Sequence, residues 1–289
     1  MPVAQQRQSA STQWKAKAIR VGLIGKGIQL SRTPEMHMAE GAAKGIDYQY
    51  DLIDPEVMTG AAPSLAEMLD KAEAQGFAGC NVTYPYKIEA LNLVDSLSDP
   101  ARLVGAINTV VFKDGKRSGH NTDYWGFAEG LRTGLPDAKL ETVLLLGAGG
   151  AGGAVAHALR SLGVKTLMIV DTSLKSATAL AQACGGKVVT DIAQAAAEAD
   201  GIVNATPMGM AKLPGTAIDT SLLAARHWVS DIVYFPLETA LLREARAKGC
   251  ATLNGSGMAV FQAVRAFTLF SGNTPNVARM RATFEAFDT

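Results

Sequence analysis

Several kinds of residue and segment are scarce in this 289-residue sequence, and each scarcity excludes a class of function. There are only three cysteines, Cys80, Cys184 and Cys250, in no metal-binding spacing and each beside Gly or Ala. That pattern predicts reduced thiols inside a cytoplasmic protein rather than a disulfide scaffold. The four histidines, His37, His120, His157 and His227, are isolated from one another, so no metal set is expected. No stretch reaches the roughly 20 uninterrupted apolar residues of a membrane helix. Neither sign of charge is in excess, with Lys plus Arg and Asp plus Glu both at 27, which leaves nothing to attract nucleic acid or an acidic membrane. Residues 1–18, MPVAQQRQSASTQWKAKA, lack the apolar segment of a secretory signal and are expected to form a flexible tail. These exclusions predict a soluble, cytoplasmic protein that binds neither nucleic acid nor membrane; the expected partner is a small molecule, with monomer and homodimer both left open.

What the sequence does have is 48% hydrophobic residues and enough length for two cores of roughly 100–150 residues each. Apolar strand-like runs alternate with helical patterns throughout, which predicts an α/β fold with mainly parallel sheets. IRVGLIG (19–25) reads as the first strand. SLAEMLDKAEAQG (64–76) reads as a helix, with Ser64 and Glu67 as a capping box and Gly76 as its stop. FAGCNV reads as a strand leading into a helix that contains Lys87, and NTVVFKDGKRSGH (108–120) as a hairpin turning at Asp114-Gly115. Beyond the connector TGLPDAKLE (133–141), the runs TVLLLG, TLMIVD, KVVT, GIVNAT and HWVSDIVY form a compact βαβ series. Expected boundaries are therefore 19–124 for an N-terminal α/β domain, 125–250 for a Rossmann-type domain, and 251–289 for C-terminal helices packing back on the first domain.

TVLLLGAGGAGGAVAHAL (142–159) combines a buried strand, a glycine turn and a helix. Gly147, Gly149 and Gly152 fit G-x-G-x-x-G, in which the first glycine makes the tight turn, the second admits a pyrophosphate and the third lets helix and strand close up. The helix start, with Gly150 and Ala151, offers unpaired N–H groups and a positive dipole end to the phosphates. Asp171 ends the next strand about 20 residues on, the spacing of the acid that accepts the ribose hydroxyls. A carboxylate there repels a 2′-phosphate, and no Arg follows in VDTSLKS, although Lys175 is close by, so NAD is favoured over NADP. The alternative is a strand-end Asp that caps the following helix.

Four polar clusters lie where strands are expected to end. GIQLSRTPEMH carries Ser31 and Thr33, and NVTYPYK carries Asn81, Thr83 and Lys87. INTV and GHNTD contribute Asn108 and Asp123, and GSGMAVFQ contributes Gln262. Each has a structural alternative: Thr33-Pro34 as a helix N-cap and first-turn pair, Asp123 as a cap, Lys87 as a surface residue, Gln262 as a polar helix face. Together, neutral hydrogen-bonding groups with one Lys and one Asp suit a small polyhydroxylated acid better than a phosphate or an acyl chain.

Several long motifs in order, LSRTP, NVTYPYK, GAINTV, GHNTD, GAGGAGGAV, NATPMGM, DIVYFP and GSGMAVFQ, make the chain resemble the shikimate/quinate dehydrogenase family from about residue 20 to 286. SRTPEMH and Asp171 look most like its NAD-using quinate/shikimate branch. The resemblance implies an oxidoreductase that interconverts shikimate or quinate and their 3-dehydro ketones. It implies Ser31 and Thr33 on the substrate carboxylate, and Thr83, Asn108 and Gln262 on ring hydroxyls. Lys87 and Asp123 would be the catalytic pair, Tyr234 would lie beside substrate and nicotinamide, and Thr206, Met208 and Gly255 in the cofactor cleft. Leu30, Thr33 and His120 depart from the commoner family pattern, which has His, Ser and Tyr there. Within the fold, an aminoshikimate or other cyclitol-acid dehydrogenase is an alternative, and outside catalysis a sensing module for NAD and quinate.

The sequence also suggests an environment for Lys87. Pro85 would open a helix whose dipole disfavours an ammonium in its first turn, and Tyr84 and Tyr86 would screen the amine from water. Asp123 would act in the opposite sense.

Overall fold

The structure, a computed structural model, describes residues 18–288; of the tail expected over residues 1–18, residues 1–17 lie outside the described residues, and Ala18 belongs instead to the first strand. The first sheet is built from β1 (Ala18–Ile24), β2 (Asp47–Ile53), β3 (Gly79–Val82), β4 (Ser96–Leu97), β5 (Thr109–Lys113) and β6 (Lys116–His120). Its strand order is β2-β1-β3-β5-β6-β4, with β1 parallel to β2 and β3, and with β5 antiparallel to β3 and β6. Helices α1 (Thr33–Ala43), α2 (Leu65–Ala74) and α3 (Asp99–Val104) connect these strands. The local signals act as expected: Ser64 Oγ accepts from Glu67 N at 3.2 Å while Glu67 Oε2 accepts from Ser64 N at 2.8 Å. Asp114 and Gly115 take φ of 53° and 69° to close the β5–β6 hairpin.

Helix α4 (Thr122–Gly134) runs through the boundary expected at 124/125, and this continuity is what couples the two sheets. Its first turn stands at the end of β6, while Phe127 and Leu131 further along are buried in the core of the second sheet. That sheet comprises β7 (Thr142–Leu146), β8 (Thr166–Val170), β9 (Lys187–Val188), β10 (Gly201–Asn204), β11 (Trp228–Asp231) and β12 (Ala251–Leu253), joined through α5 (Gly150–Ser161), α6 (Leu174–Cys184), α7 (Ile192–Glu198) and α8 (Ala240–Ala247). All its pairs are parallel, in the order β12-β11-β10-β7-β8-β9. Alternation along β7 feeds two cores: Val143 and Leu145 face one layer, Leu144 and Leu146 the other. The three residues of β12 are too few to carry a period, and they extend this sheet rather than joining the C-terminal helices.

Helices α9 (Ser256–Ser271) and α10 (Val277–Glu285) return to the first sheet, as the sequence predicts. Val260, Val264, Phe267 and Phe270 of α9 pack with Ile19, Val21 and Tyr48, and Met280 and Phe284 of α10 close the layer. Each fully buried side chain of this kind contributes about 1.5–3 kcal/mol. Helices α4 and α9 approach so closely that a methyl group at Gly126 would lie 2.7 Å from Met258 O and 2.8 Å from Gln262 N. The three cysteines are buried free thiols, and burial pushes the Cys80 thiol up to about 12. Among the described residues no helix is long and apolar enough to cross a membrane.

Candidate active site

Beyond β3 the chain does not enter an α-helix. Tyr86 N donates to Thr83 O at 2.9 Å, closing a turn with Pro85 in its third position after a cis Tyr84–Pro85 peptide. Residues 84–88 are turn, and a 3-10 helix begins only at Glu89. The dipole expected at Lys87 therefore has no α-helix to supply it. The tyrosine screen is also halved: Tyr86 is buried, but Tyr84 is 75% exposed. Lys87 is positioned instead by its main chain, which accepts from Ile107 N at 2.9 Å, and by a side-chain partner.

That partner is Asp123. Lys87 Nζ donates to Asp123 Oδ2 at 2.7 Å, with side-chain exposures of 25% and 12%. The cap of α4 is Asn121, whose Oδ1 accepts from Tyr124 N at 2.9 Å and whose Nδ2 donates to Ala106 O at 3.0 Å. Asp123 is thus not used as a cap; it sits in the first helical turn, where the positive dipole end stabilises a carboxylate. The structure favours the paired reading of both residues over the surface-residue and cap readings.

Asn108 and Gln262 reach Thr122, the neighbour of Asp123, while Thr83 lies on the turn that carries Lys87 and Ser31 and Thr33 follow β1. The N-cap position of α1 is Arg32, not Thr33, so the Thr33 hydroxyl stands in the first turn of α1 without capping it. Ser31 N donates to Ile28 O at 3.0 Å, and Ser31 Oγ receives only a long 3.4 Å contact from Thr33 N. Thr83 N donates to Ile24 O at 2.9 Å, fixing this residue against the end of β1. Buried Asn108 accepts from Thr122 N at 2.7 Å through Oδ1 and donates to Thr122 Oγ1 at 2.9 Å through Nδ2, which leaves one amide hydrogen uncommitted. Gln262 Nε2 donates to Ala259 O at 3.1 Å and its Oε1 meets the Thr122 hydroxyl at 3.5 Å, which brings it to the residue that precedes Asp123.

Tyr234 reaches the same place from beyond β11. Its residue is 47% exposed at the cleft edge. Burial nevertheless raises the hydroxyl pKa; the charges of Lys87 and Arg32 oppose the rise, and that of Asp123 adds to it. The Tyr234 ring meets Phe284 of α10 edge-on, with centroids 6.2 Å apart.

The second sheet's C-terminal edge has the shape a dinucleotide requires. Gly147 adopts φ of 101°, and a Cβ on Gly152 would lie 2.3 Å from Gly147 O, so both positions need glycine. No atom stands within 4 Å of where a Cβ on Gly149 or Gly150 would point, leaving open space at the start of α5, where Ala151 follows. Asp171 Oδ2 accepts from Ala148 N at 2.7 Å and its Oδ1 from Ser173 N at 2.7 Å, while Ser173 itself caps α6. Its carboxylate is thereby held beside the glycine loop, and the helix-cap alternative falls to Ser173. Across the switch point between β7 and β10, Thr206 Oγ1 donates to Asn204 Oδ1 at 2.7 Å and accepts from Met208 N at 3.2 Å. A Cβ on Gly255 would lie 2.4 Å from Ile232 O, which lets α9 begin against the loop that carries Tyr234. The donor set and the glycine cradle fit a nicotinamide dinucleotide.

Comparison with known proteins agrees with this arrangement. Residues 23–110 match the shikimate dehydrogenase substrate binding domain, 131–219 the shikimate/quinate 5-dehydrogenase domain, and 255–283 the shikimate 5′-dehydrogenase C-terminal domain. The NAD(+) quinate/shikimate dehydrogenase of Corynebacterium efficiens is 51% identical over 277 residues, spanning 92% of this chain and 98% of that protein. The chain belongs to the shikimate/quinate dehydrogenase family. The structure of quinate dehydrogenase from Corynebacterium glutamicum in complex with NAD superposes with a TM-score of 0.90 at 48% identity, covering 93% of this chain and 99% of that one. An NADP(+) shikimate dehydrogenase from an Arthrobacter species is 46% identical over 93% of this chain and 95% of its own length.

Within this shikimate/quinate dehydrogenase fold, several residues of the motifs have supporting roles that the sequence does not assign. Asn81 accepts from Tyr50 Oη at 2.8 Å and donates to Thr109 Oγ1 at 2.9 Å, bracing the strand ends beneath Asn108. Buried Asp231 accepts from Asn204 Nδ2 at 2.9 Å, Val233 N at 3.0 Å and Thr239 Oγ1 at 2.7 Å, which ties the Thr206 loop to the Tyr234 loop. Arg32, 6% exposed, donates to Phe284 O at 3.1 Å with its guanidinium 4.9 Å from the Phe284 ring, so α10 is docked on the segment that carries Ser31 and Thr33. The available signal was a polar or charged residue inside a motif with no assigned partner. Among the departures from the family pattern, Leu30 points to solvent at 82% exposure. At His120 the main-chain carbonyl accepts from Asn108 N at 3.0 Å, a bond independent of the side chain.

Proposed function

We propose that this protein is an NAD-dependent oxidoreductase that interconverts quinate or shikimate and the matching 3-dehydro ketone. The observation that carries the reading is the 2.7 Å Lys87–Asp123 pair, beside Thr122 with its links to Asn108 and Gln262, in a chain whose second sheet ends in a dinucleotide cradle. Oxidising a secondary alcohol removes a hydride from carbon and a proton from oxygen, and bound NAD supplies the hydride acceptor. The chain supplies the rest. Lys87 meets the reacting hydroxyl, and the proton passes to the Lys87–Asp123 pair, which holds it as one unit across its hydrogen bond. In the reverse direction the same pair returns the proton to the alkoxide.

Ser31 and Thr33 hold the substrate carboxylate through hydroxyls, while Thr83 and the uncommitted amide hydrogens of Asn108 and Gln262 hold ring hydroxyls. Tyr234 closes the cleft over the reacting carbon. Gly147 makes the turn, main-chain N–H groups of Gly149, Gly150, Ala151 and Gly152 hold the pyrophosphate, Asp171 the ribose hydroxyls, and Thr206, Met208 and Gly255 border the nicotinamide. The expected domains, 19–124 with 251–289 for substrate and 125–250 for cofactor, take two adjustments: α4 is shared between them, and β12 (Ala251–Leu253) belongs to the cofactor sheet. The names of the similar proteins, which include both quinate and shikimate, support the substrate class.

Initial-rate NADH formation with quinate and with shikimate, repeated with NADP, tests the assignment. NADH should form with at least one acid, and more slowly with NADP. A substrate panel with amino-substituted acids and other cyclitol acids would reveal a different preferred alcohol. Binding of quinate and NAD without any NADH would mean a sensing module and would overturn the catalytic reading. Within the same assay, Asp171→Ala is expected to lower the NAD-to-NADP ratio of kcat/KM about tenfold or more, because it removes both the ribose acceptor and the repulsion of a 2′-phosphate. An unchanged ratio would sink the role of Asp171.

A further inference from the structure

The loop that leads to Ser31 and Thr33 has no secondary structure of its own, yet it must hold two hydroxyls in place. Its anchor is a carboxylate from the end of β2. Asp54 is 1% exposed, and its Oδ2 accepts from Gly27 N at 3.0 Å, Ile28 N at 3.3 Å and Gln29 Nε2 at 3.3 Å. Its Oδ1 accepts from Glu56 N at 3.0 Å. Burying a carboxylate without partners costs several kcal/mol, and here four N–H donors compensate. Burial raises the Asp54 pKa, and the hydrogen bonds from Glu56, Gln29, Ile28 and Gly27 outweigh it, leaving the group below its ordinary value and ionised.

Two consecutive backbone N–H groups directed at one oxygen form an anion-binding concavity, made accessible here by the positive φ of 65° at Gly27. In this chain the concavity is filled from within. The restraint then passes along the loop: Ile28 N is held by Asp54, and Ile28 O accepts Ser31 N at 3.0 Å, one residue before Arg32 and two before Thr33. On the other side of the loop, Lys26 N donates to Tyr84 O at 3.0 Å, and a Cβ on Gly25 would lie 2.3 Å from Thr83 Cγ2. A single buried carboxylate thus sets the position of the carboxylate-binding hydroxyls relative to the turn that carries Thr83 and Lys87.

We infer that Asp54 is a positioning residue for recognition of the substrate carboxylate, acting through the Gly27–Ile28 backbone on Ser31 and Thr33. The inference rests on the proposed roles of Ser31 and Thr33. Asp54 touches neither substrate nor cofactor, so its loss should act on substrate affinity and on discrimination between acid and ester, not on the chemical step.

The test compares wild type, Asp54→Asn and Asp54→Glu with quinate, shikimate and quinate methyl ester, at saturating NAD. Asp54→Asn preserves shape but turns one acceptor oxygen into a donor; Asp54→Glu preserves charge but displaces the two amides by one methylene. In both, KM for the acids should rise about tenfold or more, with kcat and KM for NAD within about twofold. The wild-type preference for acid over ester should collapse by a similar factor. A general loss of stability would lower activity on acid and ester alike. If Asp54→Asn is not recovered folded, Asp54→Glu decides. A folded variant with unchanged KM and unchanged acid-over-ester preference overturns the inference while leaving the dehydrogenase reading intact. A wild-type protein that oxidises neither acid overturns that reading, and this inference with it.

Discussion

Replacing Lys87 with alanine should lower kcat about a thousandfold while KM for the substrate changes less than about fivefold, measured by initial rates at saturating NAD. The expectation follows from the 2.7 Å contact with Asp123 in a partly closed site. Removing the amine removes the group that meets the reacting oxygen, and it leaves a carboxylate, 12% exposed, without its counter-charge. Substrate binding, by contrast, is distributed over Ser31, Thr33, Thr83, Asn108 and Gln262, all of which remain. Lys87→Arg sharpens the result, because a guanidinium keeps the positive charge but does not give up its proton. A similarly low kcat in Lys87→Arg would show that proton acceptance matters more than charge alone. A large KM effect with normal kcat in Lys87→Ala would reduce Lys87 to a binding residue.

The second large effect concerns stability against acid. His37 is fully buried, with Nδ1 3.0 Å from Tyr48 Oη and its ring edge-on to Tyr50 at 5.1 Å. Burial lowers its pKa from 6.5 to about 3; the nearby Ala263 backbone opposes this only in part, and Nε2 has no partner at full hydrogen-bond geometry among the described residues. The unfolded chain protonates this histidine below about pH 6.5, whereas the folded protein does not until about 3. Between those values the unfolded state binds more protons, so folding stability rises with pH and is lost as pH falls. Over the whole window the penalty from this one residue is on the order of 4–5 kcal/mol. His37→Gln retains a hydrogen-bonding partner for Tyr48 without a titrating ring. Urea-unfolding midpoints from pH 7 down to pH 4 should therefore fall less steeply in the variant than in the wild type, and parallel slopes would exclude His37 as the source.

Much of the architecture was legible because it depends on local periods and short-range geometry. The strand-glycine-helix unit at 142–159 is readable from its sequence because backbone sterics at Gly147 and Gly152 admit no other residue type without rearrangement. The capping box at Ser64 and the Asp114-Gly115 turn are readable for the same reason: all the interacting atoms lie within four residues. Environments were less legible than motifs. Pro85 after Tyr84 suggested a helix start, since proline suits that position. The competing fate, a turn closed by the 2.9 Å bond from Tyr86 N to Thr83 O, leaves no distinct mark in the local pattern. Thr33 was likewise a better N-cap by type than Arg32, but docking of Arg32 against Phe284, 252 residues away, decided the start of α1.

By itself, then, the sequence determined the two α/β units, the dinucleotide cradle, the acid at Asp171 and the set of polar residues available for chemistry, all of which follow from spacing along the chain. Only the tertiary structure decided which of those residues meet. Lys87 and Asp123 are 36 residues apart and bonded because a turn after β3 and the first turn of α4 end at the same point. Gln262 joins them because Gly126 lets α9 lie against α4, and Asp54 comes under the Gly27 loop because β2 pairs in register with β1. The physical reason is the range of the forces concerned: backbone conformation and helix or strand period are set by neighbours in sequence, whereas the partners of a buried charge are set by packing.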